Sequence, residues 1–203
     1  MNLKVWTIIA FGLLCATQAN AGEWKFGAQV SYVPGVEDVL DIYEDNLRYE
    51  PPGFYYDVDV AETLPIGIGF RGVYHADNGL RTDLSVGPLF LIAGDADHLQ
   101  LPVAATIGFN FNHGGTVTPY VRAGLSHHFT SGDYVEDTSI GALGAIGIEF
   151  GHGRFFSWGL ELAVDTASIT LEDYGPHNDV GFGLRGLTEV EAYDRVISFY
   201  FTF

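Results

Sequence analysis

The sequence predicts an all-β chain, with eight antiparallel strands closed into a membrane-spanning barrel and a short helix in the first long loop. Three observations carry this. Period-two alternation recurs along the chain. The connections between alternating segments are short and long in turn, as in a barrel with tight turns on one side and loops on the other. One face of the strands is large and apolar, while the other is small or charged. A soluble sandwich or lipocalin-like barrel would have to pack the large face inside. An eight-stranded interior is too narrow for it, so the apolar face is expected to meet lipid.

Residues 1–21 are expected to be removed as a signal peptide. Lys4 gives a positive start, VWTIIAFGLLCA is an apolar stretch too short to span a bilayer, and Ala19-Asn20-Ala21 is a small-residue cleavage site. The barrel domain is then residues 22–203. The single cysteine, Cys15, lies in the removed segment, so the exported chain has no disulfide.

The strands follow in order. In EWKFGAQVSY, Trp24, Phe26, Ala28, Val30 and Tyr32 oppose Lys25, Gln29 and Ser31. In LPIGIGFRGVY, Ile66, Ile68, Phe70 and Tyr74 oppose Arg71. In RTDLSVGPLF, Leu84, Val86 and Phe90 oppose Arg81, Asp83 and Ser85. HLQLPVAATIGFNF sets Leu99 through Phe111 against Gln100, Thr106 and Asn110. YVRAGLSHHF sets Val121, Leu125 and Phe129 against Arg122, Ser126 and His128. SIGALGAIGIEF opposes Ile146, Ile148 and Phe150 to Glu149, and FSWGLELAVD opposes Trp158, Leu160 and Leu162 to Glu161 and Asp165. RVISFYFTF is the eighth strand, with Phe199, Phe201 and Phe203 toward lipid and Ser198, Tyr200 and Thr202 toward the lumen. The large aromatics are otherwise expected on the outer face.

ADNG, NHGGT and GHGR are the tight turns. The long connections span about residues 33–63, 92–98, 130–138 and 168–194. The first holds VEDVLDIYEDNLR, whose Val36, Val39, Tyr43 and Leu47 recur at helical spacing opposite an acidic face. This predicts a helix over 36–48, at the barrel mouth or the membrane edge. The fourth is expected to extend its hairpin beyond the membrane.

The charge divides sharply. The lumen face carries Lys25, Arg71, Arg81 and Arg122 with Asp83, Glu149, Glu161 and Asp165, a balanced set. Buried charges persist when paired, so an interior network that plugs the barrel is expected rather than a conducting pore. The chain has a net charge of −17, and its long loops hold 20 of the 26 acidic residues against two bases, Arg48 and Arg185. Such a rim repels polyanions, which excludes nucleic acid as a partner. Divalent cations bridging loop carboxylates to lipopolysaccharide phosphates are the functional reading of this acidity, and solubility is the simpler one.

No catalytic or metal motif appears: no H-E-x-x-H, phosphate loop or G-x-S-x-G, and no Asp-x-Asp-x-Asp-Gly order in the first loop. Neither a cofactor nor a metal is expected. His127 and His128 are adjacent on a strand and point to opposite faces, so they cannot readily share an ion. His113 and His152 are read as turn residues. A triad of His128, Ser131 and Glu136 is conceivable, as it would be in any loop with such residues.

The signal peptide, the alternating strands and the terminal Phe resemble the small bacterial outer-membrane barrels of the OmpA-like and opacity-porin-like superfamily. PYVRAGLSHHF, SIGALGAIGIEF and FSWGLELAVD carry the likeness best. The resemblance implies an outer-membrane location among lipid and lipopolysaccharide. It also implies insertion by the barrel-assembly machinery, which reads a terminal strand such as that of Phe199, Phe201 and Phe203. A monomer is expected. The resemblance does not fix one activity, because such barrels serve as anchors, adhesins, channels and enzymes. No peptidoglycan-binding domain is expected after the barrel, so the OmpA-type anchoring role is not expected either. The lipid A deacylase branch has a His-x-Ser-Asn signature that residues 127–131 do not match. A structural or surface-interaction role through the acidic loops is therefore expected, with a small channel as the alternative and a lipid A hydrolase behind it.

Overall fold

The computed structural model describes residues 22–49, 65–92, 97–112, 115–151, 154–175, 180 and 184–203. The expected signal peptide, His113 and His152 lie outside these residues.

Among the described residues, eight strands close into an antiparallel barrel. They are β1 (Gly22–Tyr32), β2 (Ile66–Ala76), β3 (Leu80–Ile92), β4 (His98–Asn110), β5 (Val117–Gly132), β7 (Ile140–Phe150), β8 (Ser157–Asp165) and β11 (Val196–Thr202). Each pairs with its neighbours in the chain, and β11 pairs with β1 to close the ring. At that seam the Phe203 amide donates to the Phe26 carbonyl at 2.9 Å, and the Phe26 amide donates back at 3.1 Å. The terminal strand thus has partners on both sides, and the barrel has no free edge there.

The side chains divide by parity. Phe70, Ile68 and Phe26 are 60–69% exposed on the outer wall. Lys25, Arg71, Arg81, Asp83, Glu149 and Glu161 are buried within. A wall that exposes its phenylalanines and buries its charges is built for lipid outside. Aromatic rings gather at the tight-turn end, where Phe150 stacks on Trp158 at 4.2 Å and Trp24 on Phe26 at 5.9 Å.

Two expectations about aromatics need correction. Phe90 points inward and is 5% exposed, not outward with Val86. The register of β3 against β4 shifts between Val86 and Phe90, and the extra residue reverses the parity that strict alternation would give. Gly87, Pro88 and Leu89 make this bulge, and neither Pro88 nor the facing Pro102 has an amide to donate. Tyr120 is also inside the barrel, beside Tyr200, so the large aromatics are not confined to the outer face.

A second body sits on the long-loop end. α1 (Val36–Tyr49) packs against a three-stranded sheet of β6 (Val135–Thr138), β9 (Ile169–Asp173) and β10 (Gly186–Val190), with β9 in the middle. The helix is predicted at 36–48 and observed at 36–49. Glu37 and Asp38 lie in its first turn and Arg48 in its last, matching the helix dipole. Val39, Ile42 and Tyr43 face Ile169, Leu171 and Val190 in a hydrophobic core. This core continues into the barrel mouth through Phe90, Ala145, Ala163 and Val196. The fourth long loop does extend its hairpin, as β9 and β10. The helix does not lie at the membrane edge; with the small sheet, it caps the barrel.

Candidate functional site: a charge-packed lumen under an acidic cap

Strand parity brings three guanidiniums and three carboxylates to one level of the lumen. Arg81 grips Asp83 with two bonds of 2.7 and 2.9 Å and reaches Glu149 at 3.1 Å. Arg71 joins Asp83 at 2.9 Å to Glu161 at 2.6 Å. Arg122 takes Glu161 with two bonds of 2.8 and 2.6 Å and donates to Thr106 at 2.9 Å. Forked guanidinium–carboxylate pairs of this kind fix position as well as charge.

Tyr120 and Tyr200 complete the layer. The Tyr120 hydroxyl donates to Glu161 at 2.7 Å, and the Tyr200 hydroxyl donates to Glu149 at 3.3 Å. Their rings lie under the cations, Arg81 at 3.8 Å from the Tyr120 centroid and Arg71 at 4.4 Å from that of Tyr200. Two glycines make the room. A Cβ on Gly147 would come within 2.4 Å of the Tyr120 ring, and one on Gly159 within 2.5 Å of the Tyr200 ring. Each glycine is the cross-strand partner of the tyrosine that covers it.

Of the eight lumen charges expected from the sequence, Arg71, Arg81, Asp83, Arg122, Glu149 and Glu161 meet in this layer. Lys25 and Asp165 do not. Lys25 donates to the Arg154 carbonyl at 2.5 Å, nearer the turns. Asp165 lies toward the loops, where Ser126 donates to it at 2.5 Å and His128 Nε2 stands 3.2 Å away. The lateral distribution of Phe199, Phe201 and Phe203 is on the outer wall, with Phe199 44% and Phe203 57% exposed.

Between the charged layer and the cap lies a small cavity of about 30 Å³, lined by Gln29, Ser85, Glu161, Asp165, Tyr193 and Ser198 among others. The β3 bulge borders it. Gln29 and Tyr193 reach the bulge from inside, donating to the Gly87 carbonyl at 3.3 Å and the Pro88 carbonyl at 2.8 Å. Side chains thus satisfy carbonyls that the interrupted ladder leaves free.

The cap is held by long-range bonds. Asn46, fully buried on α1, donates to the Glu172 carbonyl at 2.6 Å and accepts from the Tyr174 amide at 2.7 Å. On its surface, Arg185 bridges Glu136 and Glu172. The hydrogen bond from Arg185 holds the Glu172 carboxyl below its ordinary range. Burial pushes the Tyr43 hydroxyl well above the ordinary tyrosine value. A cleft of about 330 Å³ between α1 and β10 is rimmed by Asp38, Asp41, Glu189, Glu191 and Asp194 over Ile42 and Val190.

The conceivable triad is not assembled. Ser131 is exposed, Glu136 pairs with Arg185, and His128 contacts Gln100 and Asp165. His127 does point away from His128, buried against Phe129 and the Ser139 carbonyl. Sequence reasoning missed Tyr120, Tyr193 and Asn46. Only Tyr120 left a signal, because it shares parity with Arg122.

No family model matches the chain, and no curated protein matches it. In structure it is similar to the outer membrane protein OprG from Pseudomonas aeruginosa. That likeness has 12% identity, 91% of this chain and 97% of that one covered, and a TM-score of 0.55. It is also similar to the outer membrane protein AlkL, solved by solid-state NMR in lipid bilayers, at 12% identity with 91% and 88% covered and a TM-score of 0.47. The chain has the closed eight-stranded antiparallel fold of a small outer-membrane barrel.

Proposed function

We propose that this chain is an integral protein of the bacterial outer membrane, exported through a cleaved signal peptide, whose barrel anchors an acidic cap that interacts with the cell's surroundings. The observation that carries this reading is the cap itself. Loops that merely join strands need no hydrophobic core, yet here a helix and three strands share one. Below the cap, the ion-paired layer fills the lumen, which favours an anchor over an axial pore. Catalysis plays no part in this reading. Lipid and lipopolysaccharide surround the barrel, and the Phe199, Phe201 and Phe203 face serves the assembly machinery as its signal. The carboxylate-rimmed cleft favours cationic partners, including divalent ions bridging to lipopolysaccharide phosphates. The test is binding of refolded protein to lipopolysaccharide vesicles with and without calcium. Calcium-dependent binding is expected, weakened when Asp38, Asp41, Glu189 and Glu191 are changed to the amides. Binding unaffected by those changes would contradict it.

A second reading has one specific observation behind it. The β3–β4 ladder is interrupted at Gly87-Pro88-Leu89, beside the small cavity. A small apolar solute entering there would leave through the wall into lipid, without crossing the charged layer. Uptake of such a solute into proteoliposomes, lost when a disulfide is engineered across the interruption, would favour this reading.

A further inference from the structure

β10 is an edge strand of the cap. It pairs with β9 from Gly186 to Val190, and among the described residues no strand pairs with its other side. An unpaired edge presents amide donors and carbonyl acceptors that another chain can complete. This edge borders the cleft beside α1. Four consecutive residues, Thr188 to Glu191, line that cleft. Successive strand residues point to opposite faces, so the wall of the cleft is the edge of the strand rather than one of its faces.

α1 forms the opposite wall. Ile42 and Val190 are buried beneath the cleft, and Asp38 and Asp41 stand exposed on the helix above them. Of the five rim carboxylates, Asp194 is paired with Arg195 at 2.9 Å, and Glu189 accepts from Ser168. Asp38, Asp41 and Glu191 are exposed and make no ion pair among the described residues.

Three features select the occupant. The rim attracts cations. Among the described residues no three acidic or histidine side chains are grouped to hold a metal ion, so an ion there would need ligands from another molecule. An ammonium or guanidinium needs none. The apolar floor fits the methylene stem of Lys or Arg, whose charged head then reaches the rim. The open edge fits an extended backbone.

We propose that this cleft binds an extended basic peptide segment as a fourth strand on β10, with alternate Lys or Arg side chains laid over Ile42 and Val190 toward Asp38 and Asp41. This rests on the reading of the cap as a surface for cationic partners, and it names the form such a partner takes. Ladder bonds to β10 supply the affinity, and alternate side chains supply the selection. The intervening positions meet Leu187, 59% exposed on the outward face of β10, where β-branched residues fit.

The probe is an end-blocked octapeptide alternating Lys and Thr, titrated calorimetrically into the refolded full chain in zwitterionic micelles at low salt. Binding is expected, and it should weaken as salt rises. The fully N-methylated analogue keeps every charge and has no amide donor, so it should bind at least about tenfold more weakly. Asp38→Asn with Asp41→Asn should weaken the parent peptide by about threefold to tenfold. Asp77→Asn, the same charge change at the tight-turn end, should leave binding as it is. Saturating peptide should slow hydrogen exchange at the β10 amides directed away from β9, and at no barrel strand. Equal binding of the methylated analogue, or binding without change at the β10 amides, overturns the added strand and leaves the cationic cap standing. β10 amides already protected in a chain that sediments as a dimer would show a second copy on the edge, and overturn it too. Absence of peptide binding overturns it as well. Calcium-dependent binding to lipopolysaccharide vesicles, measured alongside, then tells whether the cation reading falls with it.

Discussion

Asn46 and Glu172 are 126 residues apart in the chain, and the Asn46 amide donates to the Glu172 carbonyl at 2.6 Å inside the cap. Its own oxygen accepts from the Tyr174 amide at 2.7 Å, so one side chain serves backbone groups at the end of β9, beyond its pairing with β6. Changing Asn46→Leu would leave two buried backbone groups unpaired, at about 1–3 kcal/mol each. Cap protection against hydrogen exchange should fall accordingly while the barrel strands keep theirs. Equal loss in both would show that the cap is not a separate unit.

Glu161 holds two guanidiniums, Arg71 at 2.6 Å and Arg122 through both of its oxygens. Glu161→Gln strips the charge from that junction and leaves buried cations undercompensated, a loss of about 3–5 kcal/mol for a broken buried pair. Urea unfolding in micelles measures it. The double change Arg122→Met with Glu161→Leu should recover part of the loss, because it removes a charge of each sign.

Tyr193 ties the cap to the bulge in β3 through the Pro88 carbonyl. Tyr193→Phe removes that donor and keeps the ring against His128. A cost of about 1–3 kcal/mol is expected for the stranded carbonyl. The measurement is hydrogen exchange at β3 and β4 amides flanking the interruption, which should quicken there and not at the β11–β1 seam.

The Arg185 contact gives the cap an acid limit. Glu172 is held below its ordinary value of 4.5 by Arg185. A depressed folded value contributes stability above the unfolded value, and that contribution is lost as pH falls through the folded one. Cap loosening on this account belongs to strongly acid conditions, below the histidine range. In Arg185→Gln the loosening should move up toward the ordinary carboxylate value, followed by α1 protection against pH.

The strands and their inward charges were legible because the side-chain period is two and a lipid-facing wall leaves charge only one place to go. That logic placed Arg71, Arg81 and Glu161 together. It failed at Phe90, where one extra residue in β3 reversed the parity without a composition signal beyond Gly87-Pro88. The helix in the first loop was legible from its spacing. What it packs on was not, because Asn46 meets Glu172 only after six barrel strands have closed the intervening distance. Lys25 and Asp165 shared the parity of the charged layer but not its height, which depends on the stagger between strands.

The central claim is that the barrel is closed along its axis and serves as an anchor for the cap. Single-channel recording of the refolded protein in planar bilayers tests it most directly, comparing the unaltered chain with the triple change of Arg81, Arg122 and Glu161 to alanine in a cap-deleted form. The account predicts no conductance steps from the unaltered chain and steps from the altered one. Reproducible steps from the unaltered chain would contradict it.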